Sequence, residues 1–513
     1  MLRPARAPGP GTATLMTATD MTGSARMLAA AEDLDPALIR EVASGQAVQI
    51  GPELLSGVQQ RCAAAREVLR GGAPVYGVNT GMGALAGIRL TEPQQLSHQR
   101  NLLLARASGG PPWLDAADIR ALFAVRLRTF LSGDAGVSAE LCQRLVDFLD
   151  AGIVPAVPRT GVGSAGEIIP LAHAFGPLAG IGRVLGPGTG TGSGAETRPA
   201  RDALREHGLG EFTLGPKEGI ALLAGVPGAT ALSVRRLEET LALESRMEAA
   251  AALSITAAGA PRDPYLAPCA RGDEILGLVL GRLRQAVGDV PERSALQAPT
   301  SFRVAGLVLT HLLRAADGLA SAISRALTGV TDSPAFLDGR FVGTAGFHGL
   351  DLAAHCDQLT AALTHACEVS AARIHRLLDP RVTGLPAQLA ATPGPDTGLV
   401  TVHKRAAGET HAMRRLATPA TTGLIETSGG QEDVQSFAWE AGETLREALR
   451  HAQAVTACEL LTAYQAIILA GRPVQPGCRA VLDWLAAIVD PIVADRPFGE
   501  DIERLRRAGG PPA

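Results

Sequence analysis

The sequence predicts a mainly α-helical protein built around a bundle of long helices. Residues 228–258, 302–329, 350–378 and 435–470 each have few helix breakers, and each can form a helix of roughly 25 residues, or about 40 Å. The chain has only 3 Trp, 3 Tyr and 11 Phe, so its core must consist mainly of Ala, Leu, Val and Ile. Such a core favours close-packed helices over an aromatic-rich sandwich. The strand–helix alternation of a doubly wound sheet is missing, which favours an extended bundle.

Size and charge exclude several classes of protein. The chain has 513 residues, of which 46% are apolar, and this is sufficient for a large core. The formal net charge of −4 argues against a nucleic-acid binder that relies on bulk positive charge. The sequence has no uninterrupted apolar run of about 20 residues, so we expect no membrane-spanning helix. The first residues lack the apolar segment of a signal peptide.

The elements of the N-terminal part follow in chain order. Residues 1–30 are rich in Pro, Ala, Gly and Thr and are expected to form a flexible tail. The ordered part is expected to begin near Leu34, with helical spacing over 36–70. A Gly-rich stretch over 71–87 is a poor helix and predicts a loop that positions other groups. Amphipathic helices are predicted over these further ranges: 92–106, 116–132 and 138–151.

The chain divides by composition into four parts. The Gly-rich segment 185–199 lacks the ending of a phosphate-binding loop and is interpreted as a flexible connector. The predicted division is a tail over 1–30, an N-terminal domain over 31–216, a central long-helix bundle over 217–475 and a helical tail over 476–513.

The cysteines indicate a reducing compartment. Seven of them are scattered along the chain without a CxxC pair, so a disulfide framework is not expected and a cytoplasmic location fits better. The eleven histidines form no HExxH pattern and have no accompanying Cys or carboxylate cluster. We therefore expect no metal site and no external cofactor.

Several motifs give the chain a resemblance to the aromatic amino acid lyases, the family of histidine and phenylalanine ammonia-lyases. Eight pieces resemble the family in order and spacing: Val75 to Gly83, Gln99 to Leu104, Gly161 to His173, Lys217 to Leu222, Thr331 to Pro334, Phe347 to Gly349, Gly384 to Pro386, and Gln431 to Asp433. The resemblance implies a mainly helical homotetramer of the histidine ammonia-lyase type, with a loop-rich N-terminal part and active sites shared between subunits.

The resemblance also implies an electrophile that the protein makes from its own backbone. The family forms methylidene-imidazolone (MIO) from Ala-Ser-Gly: the Gly nitrogen attacks the carbonyl two residues back, and the central Ser loses water to give a methylene group. The corresponding tripeptide here is Ser164-Ala165-Gly166, and Ala165 has no hydroxyl to lose. A ring shifted to Gly163-Ser164-Ala165 would move the methylene by about one residue, or 3.8 Å.

Other positions also differ from the family. By the resemblance, Leu296 replaces the Arg that grips the substrate carboxylate, and Val290, Ala224, Ala412 and Gly430 replace further polar groups. These changes favour an activity other than simple deamination of histidine or phenylalanine.

Two hydroxyl groups are the candidate catalytic residues. Tyr76 lies in the Gly-rich loop at the position of the family's catalytic base, although it can also be read as a plug against the core. A phenol needs nearby positive charge or hydrogen bonds to act as a base. Ser164 is the hydroxyl that remains in the former electrophile loop, where it can serve as a donor, as a nucleophile or as an ordinary turn residue. Glu167 replaces the family's Asp and is expected to keep its structural hydrogen bonds.

New cations suggest an altered binding pocket. By the resemblance, Arg106 replaces a His near the substrate ring, Arg128 replaces an Asn, and Arg293 replaces a Tyr. Arginine forks suit carboxylate or phosphate, although each can equally be a solvated or paired surface charge. The candidate substrate-binding residues are Arg293, Arg106, Arg128, Phe347, His403, Lys404 and Gln431.

Three functions remain open at this stage. The first is a MIO-independent lyase, of the carbon–nitrogen or carbon–oxygen type and suited to specialised metabolism. It would use Tyr76 as base on a small anionic or carrier-activated substrate, by elimination or by addition and cyclisation. The second is an inactive paralogue that binds a ligand or assembles with an active subunit. The third is an ammonia-lyase with a register-shifted electrophile. Clustering of Arg106, Arg128 and Arg293 around Tyr76 would favour the first.

Overall fold

Long helices form the centre of the protein, which confirms the predicted fold class. The computed structural model describes residues 24–186, 188, 190–192, 194–288, 296–471 and 474–510. The helices of these ranges are α1 Pro36–Ala43, α2 Pro52–Arg70, α3 Glu92–Arg106, α4 Ala116–Leu131, α5 Ala139–Asp150, α6 Ile168–Phe175, α7 Ala200–Glu206, α8 Glu218–Leu223, α9 Pro227–Ala258, α10 Glu274–Val287, α11 Thr300–Arg303, α12 Ala305–Thr328, α13 Leu350–Leu377, α14 Pro380–Thr383, α15 Val400–Leu416, α16 Ala438–Ala470, α17 Pro476–Ala486 and α18 Phe498–Arg507.

The strands of the described ranges are short and pair two by two. They are β1 Arg26–Leu28, β2 Val48–Ile50, β3 Arg183–Leu185, β4 Thr197–Pro199, β5 Ala335–Leu337 and β6 Arg340–Val342. The pair β1–β2 is parallel, with Arg26 opposite Val48, and the pairs β3–β4 and β5–β6 are antiparallel. The glycine-rich segment predicted as a connector therefore joins the two strands of β3–β4, although residues 187, 189 and 193 lie outside the described residues.

Two expectations for the N-terminal part need correction. The predicted flexible tail over 1–30 ends earlier, because β1 is hydrogen-bonded into a ladder with β2; residues 1–23 lie outside the described residues. The helical spacing over 36–70 is interrupted, because Gly45 adopts a positive φ of 113° and the chain then enters β2. Three-residue strands carry too little pattern for the sequence to reveal them.

The helix ends follow local sequence signals. Asp35, Asp115 and Ser138 each accept a hydrogen bond from a backbone N–H in the first turn of α1, α4 and α5, which satisfies donors that the helix leaves unpaired. At the start of α3, Thr91 and Gln94 form a capping box. The bounds predicted for α3 are confirmed, and those for α4 and α5 are correct to one residue.

The bundle is formed by α9, α12, α13 and α16, with α15 packed against α13 and α16. At its centre, Glu459 of α16 accepts hydrogen bonds from the Arg373 guanidinium of α13, at 2.6 Å and 2.9 Å, and from Ser254 of α9 at 2.8 Å. A buried charge network of this kind aligns three helices, because each buried polar group requires its partner.

The buried apolar residues form one continuous core from Leu28 to Leu505. No break in it, within the described ranges, marks the predicted boundaries at 216 and 475, so the four-part division stays a prediction. Two helical stretches, Glu218–Ala258 and Ala438–Ala470, are long and apolar enough to cross a membrane by length and composition. Most of each stretch is buried inside the protein, as expected of core helices.

Candidate active site

A cavity of about 920 Å³ opens where several parts of the chain meet. Its lining includes Tyr76, Arg106, Ala165, Phe347 and Glu432. The cavity therefore joins the Gly-rich loop, the end of α3, the loop before α6, the loop before α13 and the segment before α16. Both the predicted tyrosine and the unusual tripeptide lie at this one site.

Side chains packed against the Gly-rich loop hold Tyr76 in place. Gly77 has a positive φ of 67°, and a side chain there would collide with Ile220 and Met82. Gln99 of α3 donates its side-chain N–H to the carbonyl of Gly77 and accepts from the backbone N–H of Ile220, both at 3.0 Å. The side chain of Gln99 thus joins the loop to α8, and its full burial strengthens this connection.

Tyr76 itself extends from this loop into the cavity. Its side chain is 39% exposed, and its phenolic oxygen accepts a hydrogen bond from the backbone N–H of Gly83 at 2.8 Å. This bond fixes the direction of the ring and leaves acceptor capacity on the oxygen. Tyr76 therefore does not plug the core; it presents a proton acceptor to the cavity.

Carboxylates hold the loop that contains Ser164-Ala165-Gly166. The backbone N–H of Ala165 donates to Glu432 Oε2 at 3.3 Å. Burial raises the pKa of Glu440, and the nearby backbone N–H groups of Val162 and Gly163 oppose this rise. The Ser164 hydroxyl donates to the carbonyl of Gly166 at 2.8 Å, across the tripeptide. Ser164 is buried and does not itself line the cavity, whereas Ala165 and Gly166 do.

Glu167 attaches the end of this loop to the bundle. Its two carboxylate oxygens accept from the backbone N–H groups of Gly228 at 2.7 Å and Ala229 at 2.6 Å, in the first turn of α9. The helix dipole favours a carboxylate at this position. Burial has the largest effect on Glu167 and raises its pKa to about 7. The two backbone N–H donors and Arg126 oppose this rise.

We expect Glu167→Gln to lower the free energy of unfolding by about 1–3 kcal/mol, because an amide cannot accept from both N–H groups of α9. The pKa of Glu167 is higher in the folded protein than the ordinary value of 4.5. The stability that this raised pKa gives the wild type is therefore fully present below pH 4.5, and it is lost as the pH rises through about 7. In urea unfolding at pH 5 and pH 8, the difference in the free energy of unfolding between wild type and variant should be larger at pH 5. A larger difference at pH 8 would contradict the raised pKa of Glu167 in the folded protein.

Arg106 is the last residue of α3, and its guanidinium faces the cavity. Its contacts are weak: one nitrogen donates to the carbonyl of Leu102 at 3.5 Å, and another approaches the sulfur of Met82 at 3.7 Å. Burial lowers the pKa of Arg106, while the neighbouring Tyr76 and Glu432 favour its charged form.

The structure does not bring Arg128 to this cavity, contrary to the prediction that it binds substrate. Its buried guanidinium donates to the carbonyls of Leu327, Ala31 and Leu34 at 2.9–3.2 Å. These bonds connect α4 to the end of α12 and to the N-terminal segment. Because the donors are used by the backbone, the role of Arg128 is structural.

The remaining predicted residues divide into two groups. Phe347 and Gln431 line the cavity. His403 and Lys404 lie on α15 and do not; the ring of His403 stacks on His375 with 4.7 Å between centroids, and Lys404 is exposed. Arg293 lies outside the described residues. The proposed three-arginine cluster around Tyr76 is therefore reduced to Arg106 within the described part of this chain.

The predicted site residues did not include four charged groups that surround the cavity. Glu432 accepts a hydrogen bond from the tripeptide loop, Glu440 lies near the same loop, and the buried pair of Lys217 and Asp332 lies behind two cavity walls. The motifs containing Glu432, Lys217 and Asp332 were visible in the sequence, but their partners are more than 100 residues away. No local pattern reveals such a pairing.

The chain is similar to known proteins over most of its length. The model of the family described as "Aromatic amino acid lyase" matches residues 34–488. The histidine ammonia-lyase of Symbiobacterium thermophilum is 31% identical over 92% of this chain and 94% of its own length. The tyrosine ammonia-lyase of Cupriavidus metallidurans is 30% identical over the same shares of the two chains. The crystal structure of tyrosine aminomutase from Streptomyces globisporus superposes with a TM-score of 0.85 at 26% identity, covering 92% of this chain and 94% of that one.

Proposed function

Because the chain belongs to the aromatic amino acid lyase family, we propose that it is a carbon–nitrogen lyase that removes ammonia from an aromatic or heteroaromatic α-amino acid. The convergence of Tyr76, Ala165 and Phe347 on one cavity carries this proposal. A cavity of about 920 Å³ with aromatic, apolar and a few charged groups suits a ligand of this size.

The expected MIO-independent reaction on an anionic or carrier-activated substrate is wrong. Relatives that are 30–35% identical over 80% or more of the chain carry the names of histidine or tyrosine ammonia-lyases, which points to amino-acid deamination. That expectation rested on substitutions at individual pocket positions, whereas the similarity to these relatives extends over most of the chain.

Elimination of ammonia requires a base and a site that holds the substrate. The base takes a proton from the carbon next to the amine-bearing carbon, and ammonia leaves with the electron pair of the carbon–nitrogen bond. We assign the role of base to Tyr76, whose phenolic oxygen faces the cavity and is held by the N–H of Gly83. Phe347 contributes an apolar wall suited to the substrate ring.

The MIO group of the family does not fit the tripeptide at its usual centre. The central residue is Ala165, which is 5% exposed and carries a methyl group where a hydroxyl is needed. Ser164 is the only hydroxyl residue between Gly161 and Gly166, so a methylene formed within this loop has to come from Ser164. The nitrogen that would close a ring on Ser164 is that of Ala165, and its proton is donated to the Glu432 carboxylate.

The mass of the peptide that contains Ser164 tests this point. We expect a deficit of two water molecules, one from ring closure at the carbonyl of Gly163 and one from the Ser164 hydroxyl. The peptide of the variant Ser164→Ala should have the full mass calculated for its sequence, without loss of water. This variant should no longer release ammonia from histidine, phenylalanine or tyrosine. A full mass in the wild-type peptide would exclude an electrophile at Ser164, and absence of ammonia release from all three amino acids would contradict the proposed activity.

We also propose a homotetramer in the cytoplasm. Large apolar side chains are exposed beside the cavity loops, including Leu85 at 60%, Ile88 at 55%, Leu424 at 67% and Ile425 at 62%. Exposed apolar groups near an active site suit coverage by another subunit. The seven cysteines are free, and all but Cys269 are buried, which suits a reducing compartment.

A further inference from the structure

We propose that Arg106 is the anion-binding residue of the cavity and that the substrate presents a carboxylate to its guanidinium. This inference rests on the proposed function and assigns the residue that binds a carboxylate of the substrate. It follows from the position of Arg106, from its lack of an ionic partner and from the charges that surround it.

The guanidinium of Arg106 has donors to spare. Its Nε is buried and has no hydrogen-bond partner, and its two other nitrogens make only the long contacts to Leu102 and Met82. Within the described ranges, no carboxylate oxygen lies within 4.0 Å of it. A partly buried cation without a partner is costly, and a ligand anion removes this cost.

Some other buried arginines have carboxylate partners, whereas three more, Arg126, Arg128 and Arg246, donate to backbone carbonyls. Arg159 donates to both carboxylate oxygens of Glu443 at 3.1 Å and to Asp115 at 3.2 Å. Arg373 donates to both carboxylate oxygens of Glu459. Arg106 differs from Arg159 and Arg373 in lining the cavity, so a substrate can approach its guanidinium.

The surrounding charges favour a carboxylate over a doubly charged phosphate. Glu432 and Asp433 also line the cavity, and their negative charges oppose a dianion. The planar fork of an arginine matches the two oxygens of a carboxylate. The guanidinium remains charged at neutral pH despite its partial burial.

A substrate carboxylate has two sources: the α-carboxylate of the amino acid or a carboxylate at the far end of its ring. Three probes distinguish them. Cinnamate carries its carboxylate at the amino-acid end, 4-carboxycinnamamide carries it on the ring, and cinnamamide carries none. Calorimetric titration of the full-length protein with each probe requires no turnover, so the result does not depend on whether ammonia is released.

We expect Arg106→Gln to weaken binding of one of the two carboxylates by about 10- to 100-fold and to leave cinnamamide binding unchanged. Arg106→Lys should restore part of the affinity, because it keeps the charge without the fork. Arg479→Gln is the matched control: Arg479 is exposed on α17 and lies outside the cavity lining.

The affected probe identifies the source: loss with cinnamate assigns the α-carboxylate, and loss with 4-carboxycinnamamide assigns the ring. Equal affinity of wild type and Arg106→Gln for both carboxylates would overturn the inference. Failure of the wild type to bind either carboxylate more tightly than cinnamamide would also overturn it. Absence of ammonia release alongside selective carboxylate binding would contradict the proposed function and leave Arg106 as the anion site.

Discussion

Replacement of Tyr76 by phenylalanine is expected to lower kcat/KM for ammonia release by about 10²- to 10⁴-fold, the usual contribution of a positioned general base. The change removes one oxygen atom and keeps the ring, which lines the cavity. The backbone N–H of Gly83 loses its acceptor but lies at an exposed position, where water can replace it. The measurement is the initial rate of ammonia release with the best amino-acid substrate, over a range of pH.

The control for this variant is Tyr464→Phe. Tyr464 is buried at the C-terminal part of α16, outside the cavity lining, and its replacement removes the same atom elsewhere. We expect Tyr464→Phe to keep the wild-type kcat/KM. Both variants should retain the wild-type oligomeric state and nearly the wild-type Tm. If Tyr76→Phe keeps its activity and its pH profile, Tyr76 is not the base.

Replacement of Lys217 by methionine is expected to lower the free energy of unfolding by about 3–5 kcal/mol, because it leaves a buried carboxylate without its partner. Lys217 Nζ donates to Asp332 Oδ2 at 2.6 Å, and the two side chains are 2% and 0% exposed. Lys217 immediately precedes α8, and Asp332 immediately precedes Ser333 and Pro334 of the cavity wall. The ion pair therefore joins two walls of the active site, and urea unfolding measures its loss.

The pH dependence of this variant gives a second, independent result. Burial raises the pKa of Asp332, and the charge of Lys217 opposes this rise. Without Lys217 the pKa of Asp332 must rise further, so the folded variant takes up a proton more readily than the unfolded chain. Stability from such a raised pKa is present at low pH and lost as the pH increases. The loss in the free energy of unfolding that Lys217→Met causes should therefore be smaller at pH 5 than at pH 8.

The double variant Lys217→Met/Asp332→Asn separates the charge from the packing. It removes both charges, and we expect it to recover part of the stability that Lys217→Met loses, since no unpaired carboxylate remains. A double variant less stable than the single one at pH 8 would show that packing, not charge, dominates at this position.

Most of the helical fold could be predicted because helices are specified locally. The bounds of α3 follow from Thr91, Gln94 and a continuous helical pattern, and the long helices α9 and α16 follow from runs of good helix formers. The parallel pair β1–β2 could not be predicted, because its three-residue strands depend on a partner about 20 residues away. Strand pairing at that distance leaves almost no periodic signal.

The candidate site could be predicted only in part. Tyr76 belongs to one of the eight family-like motifs, and the structure places it in the cavity. Arg128 was a candidate only because it replaces a family Asn, and the structure shows it bound to three backbone carbonyls. The difference between a ligand-binding arginine and a structural one is the set of acceptors within reach, and those acceptors come from α12 and from the N-terminal segment.

The sequence by itself determined the covalent chemistry available to this protein: a phenol at Tyr76, a hydroxyl at Ser164 and none at Ala165. Covalent composition does not depend on folding, so these facts hold in any conformation. Only the tertiary structure decided which charges are neutralised and which face the cavity. Arg106 is left without an ionic partner and Lys217 is paired across 115 residues, because burial and contact depend on how distant segments pack.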